Sequence, residues 1–214
     1  MNRLLAVLIG YVFGMIEFSV IISKLFGVDI RKHGDGNTGT ANTFRNVGRA
    51  AGFIVMVLEI AKAAVAVWLA GLLAGDNASL RELLKMYALA GSILGHDFPF
   101  YLKFKGGKGS ACFSGYLLFH QPIAAIPIFT VFLVTMALTH YIAFAFWMAY
   151  AELLVYFFIA VHLGLLPLSG MMLVEFLGVY IALFALTLIR HRGNIKRMIH
   201  GNEHKTYFFM KAKG

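Results

Sequence analysis

The chain has 214 residues, of which 60% are hydrophobic and only 14% charged, a balance that excludes an ordinary soluble domain and points to a bilayer. A formal net charge of +9 raises nucleic acid as a partner, but basic membrane proteins gather Lys and Arg in cytoplasmic loops, and the distribution described below follows that pattern. The single cysteine, Cys112, excludes an intrachain disulfide and any multi-cysteine metal cluster within one chain, and reads as a small apolar filler.

Residues 3 to 25 form the first apolar run, and because Glu17 and Lys24 lie inside it it reads as a retained span and not a cleaved signal peptide. Residues 34 to 45, GDGNTGTANTFR, follow. Their Gly34-x-Gly36-x-x-Gly39 spacing copies a dinucleotide loop, but the preceding element is a membrane helix. Glu59, at the spacing of a ribose-binding acid, lies in the next apolar run, so the Rossmann reading fails. Two readings stay open for the loop. It is a Gly/Asn-rich turn, or its glycines let backbone N–H groups converge on an anion beside the guanidinium fork of Arg45.

Residues 50 to 74 read as the second span, with Glu59 and Lys62 three apart on one helical face, where a structural ion pair, the favoured reading, or a functional anchor fits. After a short external turn at 75 to 82, residues 83 to 98 return. They lead into GHDFPFYLKFKGGKGSA, residues 95 to 111. Lys105 and Lys108 flank a Gly-Gly pair ahead of a helix start, an arrangement that suits a phosphate, although Leu102 stands where a Walker loop needs glycine. As a lone basic turn the segment would be an orientation signal, while His96 beside it favours a site.

Residues 110 to 121, 123 to 139, 141 to 164 and 168 to 189 read as further spans, the first of them too short to cross a full bilayer. The last polar segment, RHRGNIKRMIHGNEHK at 190 to 205, is a polybasic tail for anionic headgroups or a directed face. Arg190, His191, Asn194 and Arg197 recur at helical spacing. Fifteen of the 19 Lys and Arg residues fall in Lys24 to Arg49, Lys103 to Lys108 and Arg190 to Lys213. The positive-inside rule therefore places all three segments on the cytoplasmic face. The expected fold is an all-α polytopic membrane protein in one domain, 1 to 214, with about seven spans, the N-terminus outside and the C-terminus cytoplasmic. Glu17, Glu152 and Glu175 have no partner in the sequence, and their placement within the bundle stays open.

Together the three polar segments resemble the acyl-phosphate:glycerol-3-phosphate acyltransferases, the PlsY family of bacterial integral membrane enzymes. The family patterns G-S-G-N-x-G, G-H-x-F-P with F-K-G-G-K-G, and R-H-x-x-N-I-x-R appear here in order as GDGNTG, GHDFP with FKGGKG, and RHRGNIKR. The resemblance implies transfer of a fatty acyl group from acyl phosphate to glycerol 3-phosphate, giving lysophosphatidic acid and inorganic phosphate in phospholipid synthesis. The inner membrane, an active site on its cytoplasmic face, lipid contacts and an upstream enzyme that makes the acyl phosphate are implied with it. His96, Asn37 and Lys108 are implied as catalytic residues. Arg45, Lys108, His191 and Asn194 would hold glycerol 3-phosphate. Asn37, Gly39, Asn42 and the Gly106, Gly107 and Gly109 backbone would line the donor phosphate, with Asp35, Lys105 and Glu203 also in contact with substrate.

An acyl phosphate is already activated, so neither metal nor cofactor is expected, and the main task is to hold two anions together. The proton of the attacking hydroxyl goes to His96, to His191 or, the preferred route, to an oxygen of the donor phosphate. Asp35 departs from the serine of the family pattern. A carboxylate beside a phosphate site is repulsive unless paired or protonated, and three readings stay open: Asp35 pairs with Arg45 or Arg31 and shapes the loop, it marks a variant acceptor, or it signals lost activity. Two other readings compete: a transporter of an anionic or phosphorylated solute, and a non-catalytic lipid-binding relative. Acyl-CoA-dependent enzymes are disfavoured because no histidine is followed five positions on by aspartate.

Overall fold

A computed structural model describes residues 1 to 206. The basic residues Lys211 and Lys213, and with them the C-terminus assigned to the cytoplasmic side, lie outside the described residues. Ten α-helices make up the architecture, and the described residues contain no strand. They are α1 (Asn2–Gly14), α2 (Phe18–Leu25), α3 (Thr40–Asn46), α4 (Arg49–Leu72), α5 (Ala78–Asp97), α6 (Ser110–His120), α7 (Pro122–Thr139), α8 (Ile142–His162), α9 (Gly170–Arg190) and α10 (Arg192–Ile199). Five stretches are long and apolar enough to cross a membrane: Asn2–Leu25, Arg49–Leu72, Pro122–Thr139, Ile142–His162 and Gly170–Arg190. Their outward faces carry exposed Leu4, Phe53, Trp68, Ile126, Leu138 and Val174, as befits helices solvated by lipid.

The first crossing is broken where the sequence suggests one continuous run. α1 stops at Gly14 and α2 starts at Phe18, which frees backbone groups that hydrocarbon cannot satisfy. The Glu59/Lys62 pair of α4 satisfies them. The Lys62 ammonium donates to the Gly14 carbonyl at 2.8 Å and the Ile16 carbonyl at 2.6 Å, while Phe18 N–H donates to Glu59 Oε1 at 3.0 Å. A cation thus sits at the C-terminal end of α1 and an anion at the N-terminal end of α2, each where the helix dipole favours it. The pair itself closes at 2.5 Å with both side chains buried. α1 also packs against α5 through small residues. A Cβ added at Gly10 or Gly14 would collide with the α5 backbone, and one at Gly91 or Gly95 with that of α1, so the two backbones approach closely.

α6 is a separate 11-residue helix, about 16 Å long, and Gln121 parts it from α7, which takes Pro122 at its first turn, where the missing N–H costs nothing. Its inner face joins an aromatic core with α8 and α9. Phe113 stacks on Tyr150 at 3.9 Å, and the Tyr180 hydroxyl donates to the Tyr150 carbonyl at 2.7 Å. Cys112 is buried in the same core. Of the acids without a sequence partner, Glu175 pairs with Arg3 and accepts from Tyr87 at 2.6 Å, and Glu17 meets His96.

Candidate active site

The three polar segments meet at one end of the bundle around a cavity of about 380 Å³. Each is placed there by the helix it follows or begins. The first leaves α2 through a 3-10 turn at Ile30–Lys32 and loops to α3, held by Asn42. Its amide donates to the carbonyls of His33 at 3.0 Å and Asn37 at 2.9 Å, and its oxygen accepts from Asn46 at 2.7 Å. Asn42 is therefore buried as a loop fastener, which leaves Asp35, Gly36 and Asn37 to face the cavity. Asn37 N–H donates to Asp35 Oδ1 at 3.3 Å, closing an Asx turn.

In the second segment the chain leaves α5, passes Lys103 and Phe104 in left-handed conformations with φ 54° and 60°, and runs along the cavity from Phe104 to Lys108. The Gly106 and Gly107 amides do not face the cavity. They donate to the carbonyls of Asp97 at 3.2 Å and His96 at 2.8 Å. Arg190 binds the other side of the same loop, donating to the Gly107 carbonyl at 2.6 Å while pairing with Asp97 at 3.3 Å. Gly109, with φ 69°, takes a left-handed turn that starts α6.

The third segment is bent at His191, between α9 and α10, and is not one helix extended from the membrane. Asn194 is the buried residue of α10. It accepts from Lys108 Nζ at 2.8 Å and donates to Glu203 at 2.6 Å, and Glu203 in turn accepts from Arg197 at 2.7 Å. Lys108 also reaches Asp35 at 3.4 Å. One lysine thereby connects all three segments.

Asp35 therefore pairs with Lys108 and not with Arg31, which is bound to Asp29 at 2.8 Å. Burial raises the Asp35 carboxyl, but Lys108, the Asn37 amide and the charge of exposed Arg45 outweigh it, and Asp35 ends below the usual carboxylate range. Burial lowers the Lys108 ammonium despite Asp35. His191 is pushed down to about 4 by burial, against its bond to the Thr187 carbonyl, with Lys108 and Arg190 adding to the lowering. It is neutral at pH 7. Since Nδ1 lies 2.8 Å from that carbonyl, Nδ1 carries the proton and Nε2 is left as an acceptor.

Of the residues expected at the site, Asp35, Asn37, Lys105, Gly106, Lys108 and Asn194 line the cavity. Gly39, Asn42, Arg45, His96, Gly107, Gly109, His191 and Glu203 stand outside its wall, several of them supporting it. Sequence reasoning placed Arg190 and Arg197 on the right face of the third segment but missed Arg192, Gly193, Gly36 and Phe104, which also line it. The spacing of Arg190 and Asn194 was the available signal for Gly193 and Arg192. Five basic side chains face one carboxylate across the cavity, a setting for more than one anionic group. A separate cluster, Glu59, His96 and Cys112, has ligand atoms within 4.8 Å of one another, but the Lys62 ammonium is already on the Glu59 carboxylate, which does not suit a metal ion.

Fold and site together define a polytopic membrane protein that gathers five basic side chains around a cavity at one end of its helical bundle. The family model described as glycerol-3-phosphate acyltransferase matches residues 4–201, and the chain belongs to that family. It is 37% identical to the glycerol-3-phosphate acyltransferase of Thermosipho melanesiensis, covering 100% of this chain and 99% of that protein. Against the enzyme of the same name from Bacillus subtilis the identity is 35%, over 94% and 96% of the two chains. The crystal structure of PlsY, an integral membrane glycerol 3-phosphate acyltransferase, in its glycerol 3-phosphate form superposes with a TM-score of 0.81 at 30% identity, covering 97% of this chain and 96% of the other. The lysophosphatidic acid form superposes with a TM-score of 0.80.

Proposed function

We propose that this protein transfers a fatty acyl group from acyl phosphate to glycerol 3-phosphate at the cytoplasmic face of a bacterial inner membrane. The observation that carries the reading is Lys108, bonded to Asn194 and paired with Asp35, at the centre of a cavity with four further cations. Two anionic substrates repel each other, and this constellation offsets the repulsion while meeting charge as it develops. A hydroxyl oxygen of glycerol 3-phosphate attacks the acyl carbonyl, the bond from that carbon to the phosphate oxygen breaks, and the hydroxyl proton passes to the departing phosphate. Lys108 and Asn37 are the catalytic contacts in this scheme. Neutral His191, with Nε2 free to accept, orients the acceptor from behind the wall, with Arg45, Lys105 and the Asn194–Glu203 pair completing its surroundings.

Seven crossings fit the meeting of the three segments: the broken α1–α2 pair, then α4 and α5, then α6 to α9, which returns the chain to the same face each time. The N-terminus is then outside. A transporter finds less support, because the intramembrane charges Glu17, Glu59, Lys62 and His96 close on one another in a buried cluster while the basic side chains of the cavity gather at one end of the bundle.

The test supplies purified protein with palmitoyl phosphate and glycerol 3-phosphate and follows both phosphate release and lysophosphatidic acid, with palmitoyl-CoA as a second donor. Absence of both products in folded protein overturns the reading, and equal turnover of the CoA ester overturns the donor. In the same assay Asp35→Asn, which keeps the Asx-turn acceptor but removes the charge facing Lys108, is expected to lower KM for glycerol 3-phosphate by about fivefold, the range of a partly exposed ion pair. A raised KM would mean that Asp35 assists binding.

A further inference from the structure

His96 is buried and absent from the cavity wall, yet both edges of its ring are engaged. On one edge Nδ1 lies 3.1 Å from Glu17 Oε1, 3.2 Å from Glu59 Oε2 and 3.4 Å from Lys62 Nζ. On the other, Nε2 lies so close beneath Gly107 that a Cβ there would fall inside its van der Waals radius. Backbone contacts lock the same junction. The His96 carbonyl accepts from Gly107, the Asp97 carbonyl accepts from Gly106, and Arg190 fastens the Gly107 carbonyl from above.

We propose that His96 is a positioning residue: its imidazole is the floor on which the Gly106–Gly107 turn rests, and Glu17, Glu59 and Lys62 keep that floor from moving. This goes beyond the acyltransferase reading and rests on it. The turn lies between Lys105 and Lys108, so its height fixes where both ammonium groups enter the cavity, and a displacement of about 1 Å at a reacting centre costs on the order of a hundredfold in rate. The arrangement also explains why charged groups are retained deep in the bundle. The Glu59/Lys62 pair that closes the break between α1 and α2 also faces Nδ1, so the joint in the first crossing and the floor of the turn are one rigid unit. Proton transfer by His96 fits this geometry poorly, since Nδ1 is surrounded by the cluster and Nε2 is covered by the Gly107 backbone.

The proposal predicts a size-swap. Gly107→Ala alone places a methyl group against Nε2 and is expected to lower kcat/KM for glycerol 3-phosphate at least a hundredfold. His96→Asn keeps an amide where Nδ1 meets Glu17 and Glu59 but empties the Nε2 position, so the double variant His96→Asn/Gly107→Ala is expected to recover at least tenfold over Gly107→Ala. His96→Ala/Gly107→Ala serves as the second pairing if the asparagine variant fails to fold, and detergent melting temperatures are expected to follow the same order. A double variant no more active than Gly107→Ala overturns the proposal, because a proton-transfer histidine would add its loss to that of the loop. His96→Asn alone losing kcat by more than a thousandfold with KM unchanged also overturns it. Turnover by the wild-type protein is measured first. If it is absent the acyltransferase reading falls, and if it is present a failed swap counts against the positioning role alone.

Discussion

Lys108→Met is expected to lower kcat/KM for glycerol 3-phosphate by about a thousandfold, close to 4 kcal/mol of transition-state stabilisation. Three effects add in that one change. The cation at the centre of the cavity disappears, Asn194 loses the donor at 2.8 Å that ties the third segment to the second, and Asp35 is left as a carboxylate without its lysine in a space meant for phosphates. The first effect lowers kcat, and the last raises KM, so both constants are expected to change. Steady-state kinetics with each substrate varied in turn separates them. A loss below tenfold would remove Lys108 from the centre of the mechanism and shift weight to Arg190, Arg192 and Arg197.

Lys62→Met is expected to destabilise the fold by roughly 3 to 5 kcal/mol, the cost of leaving buried charge without its partner. Glu59 then faces Glu17 across His96, and the carbonyls of Gly14 and Ile16 lose their donor, the first of these bonds being buried and the second part-buried. Thermal unfolding in detergent reports the loss as a fall in Tm of about 10 °C for a chain of this size. Glu59→Gln/Lys62→Met is expected to be less damaging than Lys62→Met alone, because it removes the isolated charge even though it weakens both caps. An unchanged Tm in the single variant would show that the pair carries no structural weight.

Much of the fold was readable in the sequence because membrane helices announce themselves locally. The apolar runs gave the long helices α4, α7, α8 and α9 to within a few residues, and the short run at 110 to 121 corresponds to the 11-residue α6. The break at Met15 to Glu17 was not readable. Gly14 is the only weak helix former in FGMIEF and a lone glycine does not by itself end a helix, and the groups that stabilise the interruption lie on α4, more than 40 residues away. The site shows the same division. Motif residues identified where the cavity would be, but not which of them face it. Asn42 and Gly107 sit in the motifs as fasteners, a role set by His33, Asn37 and His96, none of which its spacing reveals. The partner of Asp35 lies 73 residues away, so charge reasoning confined to one loop chose Arg31 and Arg45 instead.

The interrupted first crossing also bears on how the protein is made. Lys62 follows Gly14 by 48 residues, so when the ribosome has delivered α1 and α2 their facing ends are still uncapped, and each open amide or carbonyl is costly in hydrocarbon. The first crossing becomes a comfortable membrane element only when α4 arrives beside it. Biogenesis thus favours entry of the N-terminal run and α4 as a hairpin, with the loop that carries Asp35 and Asn37 held between them from the start.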